Sequence, residues 1–228
     1  MNSSLLSLLQ LSDPALPIGG FSHSAGLETY VQKGIVHDHI TAKEFITEML
    51  TRNIQFTDAA FVSLAYDAAQ ISDGEIIQSL DAECAAVKLP KEIRQASQKM
   101  GMRLIKIFQP ICFSTEGDKY LRLIQQKKAN GHYSIAFGVY AQAMGILKEE
   151  ALFGFYYNAA AGFVTNCVKL VPIGQQQGQE LLFSLQDIIS GLVKNTIVPD
   201  RSMIGVCCAG FDIRSMQHEQ LYSRLYMS

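Results

Sequence analysis

The sequence predicts an all-α fold, a single-domain helical bundle, and three observations carry that expectation. Apolar residues recur at helical spacing along most of the 228 residues. Alternating apolar–polar runs closed by hairpin turns are nearly absent. The links between periodic stretches are short, as antiparallel helical neighbours require. No internal repeat or low-complexity linker divides the chain, so residues 1–228 read as one domain with two distinctive ends, 1–28 and 200–228.

The helices can be placed in order. Thr41-Ala42-Lys43-Glu44 has the pattern of a capping box, and Phe45, Ile46, Met49 and Leu50 follow as an apolar face. Phe61, Leu64 and Ala65 continue a similar face. Asp73-Gly74 opens another helix with Ile76, Ile77 and Leu80 as its stripe. Pro90 fits a first helical position, where its missing N–H costs nothing, and opens 91–109. Ile93, Met100, Leu104, Ile105 and Phe108 line the core side, and Pro110 ends the helix. Ser114 or Thr115 caps the next, which carries Tyr120, Leu121, Leu123 and Ile124. Two small-residue helices follow, at 134–147 and 149–171. Pro172-Ile173-Gly174 punctuates the chain before a helix at 176–198, and Pro199-Asp200 introduces the tail.

Composition excludes several function classes. Hydrophobic residues make up 48% and charged residues 18%, the balance of a folded globular protein. The net charge is −2, from 19 basic and 21 acidic side chains without a basic run, which speaks against nucleic-acid or anionic-membrane binding. The uncharged stretch 151–168 and its largely uncharged predecessor 131–147 have the length of membrane spans. Asn158, Asn166, Thr165, Gln142 and Ser134 interrupt them, and alanine and glycine dominate, so a buried helical hairpin is the expectation. The start of the chain has no signal-peptide pattern. Cys84, Cys112, Cys167, Cys207 and Cys208 have no zinc-ribbon or CxxC spacing and read as reduced thiols in a cytoplasmic protein.

Tests for catalytic chemistry fail. There is no GxxxxGK[ST] phosphate loop, no HExxH and no GxSxG, and Gly19-Gly20 lacks the context of a dinucleotide site. His37-Asp38-His39 reads as a solvated turn rather than a metal site, and His132 as a capping or core histidine. Cys207-Cys208 reads as a packed or flexible tail segment. No cofactor and no metal site are expected.

The two ends say more. Residues 16–28, LPIGGFSHSAGLE, join a proline–glycine path to a helix that Ser22 or Ser24 can cap. His23 and Glu28 would lie about a turn and a half apart on nearby faces of that helix. The tail 212–228, DIRSMQHEQLYSRLYMS, can form a helix with Ile213, Met216, Gln220 and Leu221 on one side and Tyr222 and Leu225 extending it. Such a stripe suits docking into another protein, or packing back on its own domain. The bundle is thus expected to carry a flexible N-terminal segment and a C-terminal docking tail.

These strings resemble a known family, the urease accessory protein UreF. Residues 16–28 look like its amino-terminal signature, and Ile93-Arg94-Gln95-Ala96-Ser97 like its RQxS element. NCVKLVPIGQQQGQ at 166–179 is similar to its NxxRLxPLGQxxGQ element, and the tail to its carboxy-terminal motif. The resemblance implies an all-helical, usually dimeric protein without catalytic activity. It would bridge UreD (UreH in some organisms) and the GTPase UreG, and support GTP-dependent nickel insertion into apo-urease. By the same resemblance, His23, Glu28, Arg94, Lys169, Asp212, Met216, His218, Glu219 and Tyr222 are partner-binding residues. The tail would serve UreD/UreH, and Lys169 the GTPase side. Lys169 stands where many members have arginine, which weakens a bidentate role there. Asp13-Pro14 also departs from the usual small polar residue before the signature. Two rival readings follow from the residues: a nickel chaperone carrying the ion on its own His and Cys, and a hydrolase using His23 and Glu28 as an acid–base pair.

Overall fold

The computed structural model describes residues 3–227, except for the side chains of Ser3 and Phe21. Twelve α-helices and no strand occur among them. In order these are α1 (Ser3–Leu11), α2 (Leu27–Gln32), α3 (His39–Glu48), α4 (Asp58–Gln70), α5 (Gly74–Val87), α6 (Lys91–Phe108) and α7 (Thr115–Gln125). Then come α8 (Tyr133–Ala143), α9 (Lys148–Leu170), α10 (Gln175–Ser184), α11 (Gln186–Thr196) and α12 (Ala209–His218). A wide π-turn at Met49–Asn53 and a 3-10 turn at Ile54–Phe56 connect α3 to α4.

The core is organised around α8, which is buried on every side from Tyr133 to Ala141. It runs against α4 and α6, and glycines set the closeness of both approaches. A Cβ at Gly138 would lie 2.5 Å from the Val62 carbonyl of α4, and one at Gly101 would strike the Gly131 carbonyl. Tyr133, Phe137 and Phe155 pack as one aromatic group, with centroids 5.1–5.9 Å apart. Asp81, wholly buried on α5, holds the entry to α8 by accepting from the Tyr120 hydroxyl, the Asn130 side chain and the backbone N–H groups of Asn130, Gly131 and His132. No described helix is long and apolar enough to cross a membrane.

Local details correct several expectations. Asp38 caps α3 in place of Thr41, because the helix starts at His39 and puts Thr41 at its third position: Asp38 Oδ1 accepts from Thr41 N at 2.9 Å while Thr41 Oγ1 accepts from Asp38 N at 3.1 Å. Pro90 occupies the capping position, one residue outside α6. Asp73 and Ser114 cap α5 and α7 as expected. The 176–198 helix is two helices, broken at Leu185, whose side chain turns fully into the core. The small-residue hairpin also differs. The closest approaches of α8 are to α4 and α6, whereas α9 packs chiefly on α10, α11 and α4. A helix apolar all round gives no stripe from which to read its partner.

Candidate functional site: a clasp between the two chain ends

The segment 16–28 is shaped by two glycines in the left-handed region, Gly19 (φ 86°) and Gly26 (φ 78°). Arg103 of α6 lies against Gly19, where a Cβ would collide with its guanidinium, and donates to the Ile18 carbonyl at 3.2 Å. Gly26 is the N-cap of α2, so neither Ser22 nor Ser24 caps that helix. Ser22 Oγ instead donates to the Gly19 carbonyl at 2.8 Å. A Cβ on Gly26 would lie 2.7 Å from Ser215 Oγ and 3.5 Å from the Phe211 ring, both on α12. The signature glycine is therefore the seat of the tail helix.

Glu28, in the first turn of α2, is buried beneath that contact. Its carboxylate lies 3.1 Å from His218 Nε2 and accepts from the backbone N–H groups of Leu225 at 2.7 Å and Tyr226 at 3.2 Å. Glu92, in the first turn of α6, lies 2.7 Å from His218 Nδ1 and pairs with Arg224 at 2.8 Å. His218 itself is wholly buried. At the rim, Gln32 Nε2 donates to the Ser223 carbonyl at 3.0 Å, and Met227 N donates to the Ser22 carbonyl at 2.9 Å. Charge-assisted bonds in a closed site are the strong kind, and removing one member of such a set costs about 3–5 kcal/mol.

The tail is helical only through His218, and residues 219–227 return along α2 and α6. Its inner face is Phe211, Ser215 and His218, not the Ile213–Met216 stripe. That spacing is equally helical, and only these side chains meet Gly26 and the two carboxylates. Ile213, Met216, Tyr222 and Leu225 remain exposed.

The other sequence-derived residues fall in different places. His23 is extended backbone ahead of α2, so it does not share a helix with Glu28. It lines a mainly apolar cavity of about 460 Å³ with Met100, Phe155 and the buried Lys88–Asp58 pair, which meets at 2.6 Å. Burial, then Lys99 and Arg103, lower the His23 pKa. Glu28 faces the clasp and is not part of that lining, so the acid–base pair is not assembled. Arg94 donates to the carbonyls of Lys88 and Leu89 at 2.7 and 3.2 Å, tying the turn before α6. Asp212 is half-buried at the start of α12, its pKa raised by burial. Glu219 is exposed beside the clasp, and Lys169 is exposed in the last turn of α9. Asn166, one turn before Lys169, donates to the His23 carbonyl at 2.9 Å.

Glu92, Arg103, Ser215 and Arg224 were not singled out from the sequence. Glu92 lies two residues before Arg94 in the RQxS stretch, and Arg224 stands inside the tail string, so proximity to both motifs was the available signal. His132 is a core histidine, its Nδ1 3.0 Å from Ser97 Oγ and its pKa lowered to about 4 by burial. His37 and Asp38 form an exposed turn. Among the described residues no group of three or more His, Cys, Asp or Glu side chains is placed to hold a metal ion.

Fold and site together define a class: an all-helical single domain whose two chain ends close on each other through a buried set of charges. The family model for UreF matches residues 36–186. A urease accessory protein UreF from Actinobacillus pleuropneumoniae serotype 5b (strain L20) is 46% identical over 97% of this chain and 98% of its own length. The UreF of Haemophilus influenzae (strain PittEE) is 43% identical over 97% and 94%. That of Arthrobacter sp. (strain FB24) is 33% identical over 98% and 96%. The chain belongs to the UreF family.

Proposed function

We propose that the chain acts in urease maturation as a non-catalytic cytoplasmic scaffold, bridging UreD/UreH and the GTPase UreG so that GTP-dependent nickel insertion into apo-urease proceeds. The relatives' name, urease accessory protein, supports the urease role. The observation that carries the bridging role is the clasp. His218, Glu28 and Glu92 fix the tail from inside, and this leaves Ile213, Met216, Tyr222 and Leu225 turned outward as a preformed apolar ridge. A rigid exposed ridge binds a partner without the entropic cost of ordering a free tail. Asp212 and Glu219 flank it with polar groups. In this reading Met216, Tyr222, Asp212 and Glu219 meet UreD/UreH directly, and Glu28 and His218 act by holding the ridge in place. His23 and Arg94 belong to the adjoining surface of the signature loop and α6, and exposed Lys169 serves the UreG side. A homodimer fits α1, which packs on α9 and exposes Leu5, Leu6 and Leu9.

Co-purification with UreD and UreG tests this. Removing the tail from Asp212, or introducing Tyr222→Asp with Met216→Asp, is expected to abolish recovery of UreD. An intact UreD complex after either change overturns the role given to the tail.

A further inference from the structure

The clasp carries a protonation requirement. The His218 ring is wholly buried and both of its nitrogens face carboxylate oxygens, Nδ1 at 2.7 Å from Glu92 and Nε2 at 3.1 Å from Glu28. An ionised carboxylate only accepts hydrogen bonds, and a neutral imidazole has a single N–H. A neutral ring would therefore aim one lone pair at an anionic oxygen in a site closed to water. A proton on either carboxyl would relieve this, but other donors already hold both as anions. Glu28 accepts from the Leu225 and Tyr226 amides, and Glu92 pairs with Arg224.

The charge balance agrees. With His218 as imidazolium, two carboxylates meet two cations and the cluster is neutral; with a neutral ring it holds one uncompensated buried negative charge, which is costly. The remaining titratable neighbours do not supply the missing charge. His23, in the signature loop, lies in the field of Glu92, but its own protonated form is disfavoured by burial and by Lys99 and Arg103 of α6. Tyr226, from the returning tail, is neutral, its pKa raised first by burial and then by Glu28. On α12 itself, Arg214 hydrogen-bonds Gln217, and Asp212 lies a turn and a half away.

We infer that the tail is a proton-dependent latch, closed on the signature loop while His218 is an imidazolium and released when that proton is lost. An open tail leaves the imidazole in water, away from the two carboxylates that hold its proton. Once the open ring has given up that proton, the closed state binds one proton more than the open state, and the closed-to-open ratio falls by up to about tenfold per pH unit. While both states keep the proton, the ring adds no pH dependence. The outward ridge of Ile213, Met216 and Tyr222 is thus presented in the protonated form, and alkaline conditions withdraw it.

The full-length protein labelled with ¹⁵N-histidine gives the direct test. At pH 7.5 both His218 ring nitrogens are expected to show imidazolium shifts. Trypsin cleavage after Arg224, normalised to a free peptide of the same sequence, is expected to rise about tenfold per unit through the alkaline range. In His218→Gln, whose side chain carries no titrating proton, cleavage is expected to be faster at neutral pH and flat with pH. A neutral His218 ring in a chain whose tail is still protected overturns the latch. So does a wild-type cleavage profile as flat as that of the variant. The ring spectrum decides on the wild-type chain alone, whether or not the variant folds.

Discussion

The α4–α8–α6 centre and the clasp between the chain ends both close over buried side chains, yet different forces hold them. The centre is apolar, with Gly138 and Gly101 letting backbones approach and Tyr133, Phe137 and Phe155 filling the gap. Asp81 of α5, the carboxylate at the entry to α8, is satisfied by neighbouring donors. The clasp is a knot of four charged side chains under a short helix, with few apolar side chains beneath it beyond Phe211 and Tyr226. Burial of apolar area is insensitive to charge state, whereas an ion-pair knot lasts only while each member keeps its charge. A molecule built this way can open its ends without unfolding its centre.

That contrast can be broken from either side. The largest effect is expected at Asp81→Ala, which orphans a hydroxyl and several backbone donors at about 1–3 kcal/mol each. Denaturant titration is expected to record a loss on the order of 4 kcal/mol, with the whole domain affected. Next is the acid limb of stability, set by His132. Unfolded, its ring takes a proton near 6.5; folded, burial delays that to about 4. Stability is therefore complete above about pH 6.5 and falls as the pH drops through the window to 4, by about 3 kcal/mol. His132→Asn is expected to flatten this limb, as read from midpoints at pH 4.5 and 7.

Glu28→Ala addresses the other region. It strips the acceptor from Leu225 and Tyr226 and leaves His218 half-paired, so the tail is expected to open at a local cost of about 3 kcal/mol. The melting midpoint of the domain, carried by the centre, is expected to move by only a few degrees. The smallest effect is expected at Tyr222→Ser with Met216→Ser, outward side chains whose loss changes stability by less than about 0.5 kcal/mol. A large stability loss there would show that the ridge is part of the core.

Much of the centre was legible in the sequence, and the clasp was legible only in pieces. Asp73, Ser114 and Pro110 punctuate their helices as their chemistry dictates, because caps and breakers act within a few residues. Segment 16–28 and the tail also stood out, each by its own unusual composition. That they meet did not, because the His218–Glu28 contact spans 190 residues and no local rule reports it. The same gap left open whether the apolar stripe of the tail faces outward for a partner or packs back on the domain. Ile213–Met216 and Phe211–Ser215–His218 are both helical spacings, and only the position of Gly26 and the two carboxylates selects the second. Glu92 was hidden for a related reason, as an acidic residue in a first turn looks like ordinary support for the helix dipole.

The most direct test of the account is amide hydrogen exchange at Leu225 and Tyr226 in the full-length chain at neutral pH. With the tail closed on the signature, both amides are expected to exchange far more slowly than in a free peptide. In Glu28→Ala they should reach the free-peptide rate while the amides of α8 stay protected. Free-peptide exchange in the wild-type chain, or protection unchanged by the substitution, would contradict it.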